Sequence, residues 1–160
     1  MAQIRIKPLL ALLLLCLQSW GENSFSNGKK VQLTPESVQG CYQLDMTPWT
    51  PDLKLGEDAK FVTPPKRIRL SLERGTKGFE TEGFILRPAS GEKPSIHGSS
   101  YWKPDRSDSI ILVWTTGFSG LGIRLHLEDG KLRGLARTFW DFDRKEQKSK
   151  VVAEKIVCDQ

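Results

Sequence analysis

Histidine and methionine are scarce in this chain, two of each in 160 residues, and cysteine is limited to three. No 3.6-residue apolar period appears after the N-terminal leader, so helices are not expected to build the core. These absences remove most catalytic chemistry. His126 falls on the polar side of an alternating strand and His97 lies in a turn-rich segment, so both are expected to be solvent-exposed and inert. No His, Cys, Asp or Glu cluster has metal-ligand spacing, and Asp141-Phe142-Asp143 lacks the glycine turn and closing acid of a calcium loop. Gly117-Phe118-Ser119-Gly120 is one spacer residue short of a nucleophile elbow and joins two strands, so it reads as a hairpin turn. The expectation is a protein with no catalytic residues, no metal and no cofactor.

Charge of one sign is also missing. The net charge is +5, and Lys and Arg alternate with Asp and Glu through most of the chain, with no basic stripe of the kind nucleic acid requires. The longest apolar run, residues 9–17, falls short of the ~20 residues that cross a bilayer, so no stable membrane span is expected. With Arg5 and Lys7 before it and Ser19-Trp20-Gly21 after it, the run has the form of a secretory signal spanning residues 1–21. Its removal takes away two basic residues and no acid, leaving a mildly basic chain that is secreted or periplasmic. The competing reading is a lipid anchor through Cys16, although Leu15 stands where a small residue would precede the lipidated cysteine. Cleavage leaves Cys41 and Cys158, an even count that in an exported protein implies a disulfide.

Residues 22–37 are polar and read as a mobile leader before a single domain over residues 38–160. Within that domain the dominant signal is two-residue alternation, which places successive side chains on opposite faces of a strand. The clearest stretch is residues 109–142, where three strands are separated by the two-glycine turn at residues 116–120 and by Asp129-Gly130. In the middle strand Leu121, Ile123, Leu125 and Leu127 share the inward face, with Gly122, Arg124 and His126 outside. Further strands are expected at residues 38–46, 67–73, 79–87, 98–103 and 151–158, with Glu80 and Glu82 lying across from Arg67 and Arg69. A break in alternation at Gly83 suggests a bulge. The proline-rich, aromatic segment at residues 47–65 is a long loop.

Eight strands joined in sequence imply an all-β, antiparallel up-and-down meander, which closes into a barrel and so abolishes its edges. Closure puts the first strand beside the last and brings Cys41 to Cys158 across the seam.

The chain resembles a small calycin, the lipocalin-like group of eight-stranded barrels. Gly40-Cys41-Tyr42 matches the lipocalin Gly-x-Trp motif with tyrosine in place of tryptophan, and residues 47–65 correspond to the lid-like loop between the first two strands. Lys155 stands where lipocalins place an arginine on the first-strand aromatic, and the Thr-Asp-Tyr motif is absent. The resemblance implies carriage of a small hydrophobic ligand, such as a fatty acid or other lipid. The expected lining is Tyr42, Leu44, Trp49, Phe61, Leu70, Trp102, Trp114, Ile123, Leu125, Gly134, Ala136 and Trp140, with a cavity against the small residues Gly134 and Ala136. The alternative is a filled barrel that serves as a cell-envelope or extracellular interaction or structural protein with no small-molecule ligand. No protein partner is specified by the sequence.

Overall fold

A computed structural model describes residues 32–50, 63–89, 98–140 and 146–158. The signal at residues 1–21, Cys16, Phe61, His97 and most of the segment expected to fold over the barrel mouth lie outside the described residues.

Alternation becomes architecture directly. The strands are β1 (Gly40–Met46), β2 (Arg67–Arg74), β3 (Phe84–Pro88), β4 (Ser99–Arg106), β5 (Ser109–Thr115), β6 (Ser119–Glu128), β7 (Lys131–Trp140) and β8 (Lys148–Ile156). Each pairs antiparallel with the next, and β8 returns to β1, giving the closed up-and-down barrel expected. The β6–β7 hairpin turns on Asp129 and Gly130, whose φ of 50° and 75° are the two positive values a type I′ turn needs. Leu121, Ile123 and Leu125 of β6 are buried. Leu127, expected beside them, is exposed because β6 runs past the end of the barrel into the hairpin.

At the seam, the pairs run from Cys41 opposite Ile156 to Met46 opposite Val151. Cys158 lies just beyond this ladder and is bonded to Cys41, with Cα atoms 5.2 Å apart and a sequence separation of 117. Lys155 pairs with Tyr42, and its Nζ stands 5.9 Å from the Tyr42 ring centroid, so the basic side chain lies against the first-strand aromatic as expected from the resemblance.

The fold starts earlier than residue 38. Thr34 and Ser37 cap one helical turn, α1 (Pro35–Val38), reciprocally: Ser37 N–H donates to Thr34 Oγ1 at 3.3 Å and Thr34 N–H donates to Ser37 Oγ at 3.0 Å. Leu33 and Val38 are buried and join the core cluster, and the Val38 carbonyl accepts the Tyr42 hydroxyl at 2.8 Å. This turn closes one end of the barrel as a floor. A helix of four residues is too short to show a period, and for that reason the polar look of residues 32–37 hides it.

A second difference lies between β2 and β3. Residues 79–82 are not strand; Gly78–Glu82 forms a 3-10 turn that lies as a strap against β4. At Gly83 a Cβ would come within 2.4 Å of the Trp102 carbonyl oxygen, so only glycine lets the strap close down on β4. Glu80 and Glu82 therefore reach Arg87 at 3.3 Å and Lys103 at 3.2 Å instead of Arg67 and Arg69. Tyr101, an outward-facing residue, is buried beneath the strap.

Closing a loop of this length by a disulfide stabilises the folded state by about 2–5 kcal/mol through lost freedom of the unfolded chain. Replacing both cysteines (Cys41→Ser with Cys158→Ser) is expected to lower the unfolding free energy by that amount in a urea titration. Mass spectrometry of the native protein without reductant should find neither thiol open to alkylation.

Candidate functional site

The barrel interior is the first place to look. The structure brings Tyr42, Leu44, Leu70, Trp102, Trp114, Ile123, Leu125 and Ala136 together in one buried cluster, with Trp49 packed against its edge. Phe61 and the Trp140 side chain lie outside the described residues. Leu86, Trp102, Ile110, Leu112, Leu121, Ile123 and Ala136 each have 0% of their surface accessible. A cavity able to hold water or a methylene chain exposes its walls to a probe of that size. These seven side chains, drawn from β3, β4, β5, β6 and β7, face none.

Most of the buried polar groups are also committed, the exceptions among the described residues being the Ser109 hydroxyl and the Gln147 side-chain oxygen, which have no partner. The Tyr42 O–H donates to Val38, and the Trp102 indole N–H donates to the Ser71 carbonyl at 2.9 Å. The Ser149 hydroxyl donates to the Thr47 carbonyl at 2.6 Å, and Thr138 Oγ1 accepts from the Gln147 N–H at 3.0 Å.

Gly134 has a different role from the one its size suggests. A Cβ on it would lie 1.8 Å from the Arg124 carbonyl oxygen and 3.1 Å from the Leu125 Cα. The backbone of β6 occupies the space a side chain would take, so the glycine permits close strand approach and coiling of the wall.

Outside, the barrel is less complete. The outward positions of β5, β6 and β7 form a groove of about 580 Å³, with Ile111, Gly122 and Leu135 among its lining. A Cβ on Gly122 would meet nothing closer than the Ile111 Cδ1 at 4.0 Å, so the groove is open there. Arg124, His126, Arg137, Phe139 and Glu146 also line it. Arg124 holds Asp105 at 2.7 Å; Arg137 and Lys148 both hold Glu146, at 3.2 and 3.3 Å. Partial desolvation raises the Glu146 carboxyl, but the hydrogen bonds and charges of Lys148 and Arg137 outweigh it and hold it below its usual value. Asp105 balances Arg124 and Glu146 balances Arg137, so Lys148 leaves the rim around the apolar floor with one cation in excess. Sequence alternation placed Gly122, Arg124 and His126 on the outer face; the concavity depends on the register that sets Gly122 between Val113 and Arg137, which alternation alone does not specify.

At the floor, Leu33, Val38, Tyr42, Leu127, Leu132 and Lys155 are among the residues lining a smaller pocket of about 160 Å³. Among the described residues, no three metal-ligating side chains converge, and no helix is long and apolar enough to cross a membrane. No family model, no curated protein and no solved structure matches the chain.

Both tyrosines carry raised pKa values, Tyr42 through burial alone and Tyr101 through burial followed by the nearby Glu82 carboxylate. A phenol whose folded pKa lies above its unfolded one contributes stability that is whole below the unfolded pKa and is lost as pH rises through the folded value. Because the chain has only two tyrosines, both phenolate midpoints in the native protein should lie above the usual 10.0 in an absorbance titration. Tyr42→Phe should leave a single transition, also above it. Gly134→Ala is expected to destabilise by more than the ~0.5–1 kcal/mol that glycine costs a strand, reversing the usual benefit of alanine; thermal melts measure it.

Proposed function

We propose that this chain is an exported, non-enzymatic interaction protein, secreted or periplasmic, built as a self-filled barrel that makes its contacts on its outer surface. The observation that carries the reading is the 0% accessibility of inward side chains on five consecutive strands. Close-packed interiors resist insertion, and an eight-stranded barrel sits at the size where side chains alone can fill it. A carrier of fatty acid would need this cluster to part. The groove over β5 to β7 supports the surface reading, since it offers apolar floor and basic rim without any rearrangement. The disulfide supports location in an oxidising compartment.

Two measurements test the reading. Protein recovered from its own host, extracted with organic solvent and weighed by native mass spectrometry, is expected to carry no acyl lipid and to leave a fluorescent fatty acid unbound. A stoichiometric lipid would return the barrel to the carrier class. Independently, Ala136→Leu adds volume at a fully buried wall position. A filled barrel should lose about 1–3 kcal/mol of stability to that overpacking, whereas a hollow one would accept the side chain with little change.

A further inference from the structure

Three phenylalanines stay in solvent at one place on this barrel. Phe118 is 70% exposed at the tip of the β5–β6 turn, Phe79 of the strap is 44% exposed, and Phe139 of β7 is 40% exposed. They are neighbours through two glycines. A Cβ on Gly117 would lie 2.9 Å from the Phe79 ring, and one on Gly120 would lie 2.4 Å from the Phe139 ring, so each ring rests directly on the backbone of the turn that carries Phe118. The strap is what lifts Phe79 to this position, because Gly78 lies against Ser99 at the start of β4.

The turn also pairs three of its amides, those of Thr116, Gly117 and Ser119, within itself. Thr116 N–H donates to the Ser119 carbonyl at 3.0 Å, Gly117 N–H donates to Thr115 Oγ1 at 2.8 Å, and Ser119 N–H donates to Thr116 Oγ1 at 3.2 Å. The Thr115 hydroxyl in turn donates to the Ser119 carbonyl at 3.3 Å. A turn entering a medium without water must satisfy its amides internally, since an unpaired amide there costs several kcal/mol. Basic side chains surround the aromatics: Lys77 precedes Phe79 by two residues, Arg87 holds Glu80 beside it, and Arg137 and Lys148 share Glu146 next to Phe139. Around the tip, among the described residues, these cations outnumber the carboxylates.

An aromatic tip, paired amides and a basic collar together match the interfacial zone of a bilayer, where rings sit among headgroups and cations meet anionic lipid. We propose that the end of the barrel formed by Phe79, Phe118 and Phe139 docks on an anionic membrane surface, with Phe118 inserted. The inference rests on the surface-acting reading above and names the partner.

The test uses the full-length chain as its host processes it, carrying Cys16→Ser so that no lipid can be attached at that residue. Flotation is measured with vesicles of phosphatidylcholine alone and of phosphatidylcholine mixed with phosphatidylglycerol. The protein should float with the mixed vesicles and less with the neutral ones. Phe118→Ser should weaken that partition by about ten- to a hundredfold, the factor expected for losing one buried phenylalanine side chain. Val157→Ser, at an exposed position beyond β8 at the opposite end, should leave it unchanged. Because Phe118 is in solvent, its replacement should not move the melting temperature, which confirms that any loss is not unfolding.

The proposal is overturned if the protein floats with neither vesicle, or if Phe118→Ser floats as well as the parent. It is equally overturned if Phe118 proves necessary for binding a protein and not lipid. Failure of this kind, with a lipid-free barrel, leaves the surface-acting reading standing. An acyl lipid found inside the barrel would overturn that reading instead.

Discussion

The ladder between β1 and β8 is the constraint on which the rest of the molecule depends. Without the pairing of Cys41 through Met46 with Ile156 through Val151, the other strands would form an open sheet with two unpaired edges and one face too large to bury. Closing it fixes the circumference, and the circumference fixes how much side chain the interior can take. Tyr42, Leu44, Val151 and Ala153, all on the seam strands, then meet Leu112 and Ile123 from the far wall in one cluster. The disulfide adds a covalent tie at the end of the ladder where the first and last strands would fray first.

Two departures from ideal strand geometry shape the outside of the barrel. One is the strap of Gly78–Glu82, which covers β4, buries Tyr101 and spends Glu82 on Lys103. The other is the pair of outward glycines on β6: Gly122 leaves the groove open, whereas Gly120 lets the Phe139 ring lie on the backbone. The outer wall from β5 to β7 is therefore concave in its middle and aromatic at its rim.

How much of this was legible in the sequence depended on the range of the interaction involved. Alternation at β2, β6 and β7 is local and strong, and it identified those strands, whereas β5 was readable from its β-branched and aromatic run. The Asp129-Gly130 turn was readable because its two positive φ values demand those residue types. The seam disulfide followed from closure and an even cysteine count, and the position of Lys155 on Tyr42 followed from a motif. What escaped was set by contacts remote in sequence. The strap reads as strand because Phe79-Glu80-Thr81-Glu82 alternates, and only the approach of Gly83 to Trp102 forces it off the sheet. Gly134 reads as spare volume because a sequence shows an absent side chain but not the β6 carbonyl that takes its place. The helical turn at Pro35–Val38 was hidden by brevity, although Thr34 and Ser37 were the caps that might have revealed it.

The bond between Cys41 and Cys158 has a further consequence for a protein that meets proteases. It makes a covalent ring of nearly the whole described domain, since the sequence separation of its two ends is 117. A single cut in any loop between them opens the ring without releasing a fragment, and the pieces remain held in register by the barrel ladders on either side. Peptide-bond breakage and loss of the molecule are thus separate events, and only a second cut or a reductant joins them.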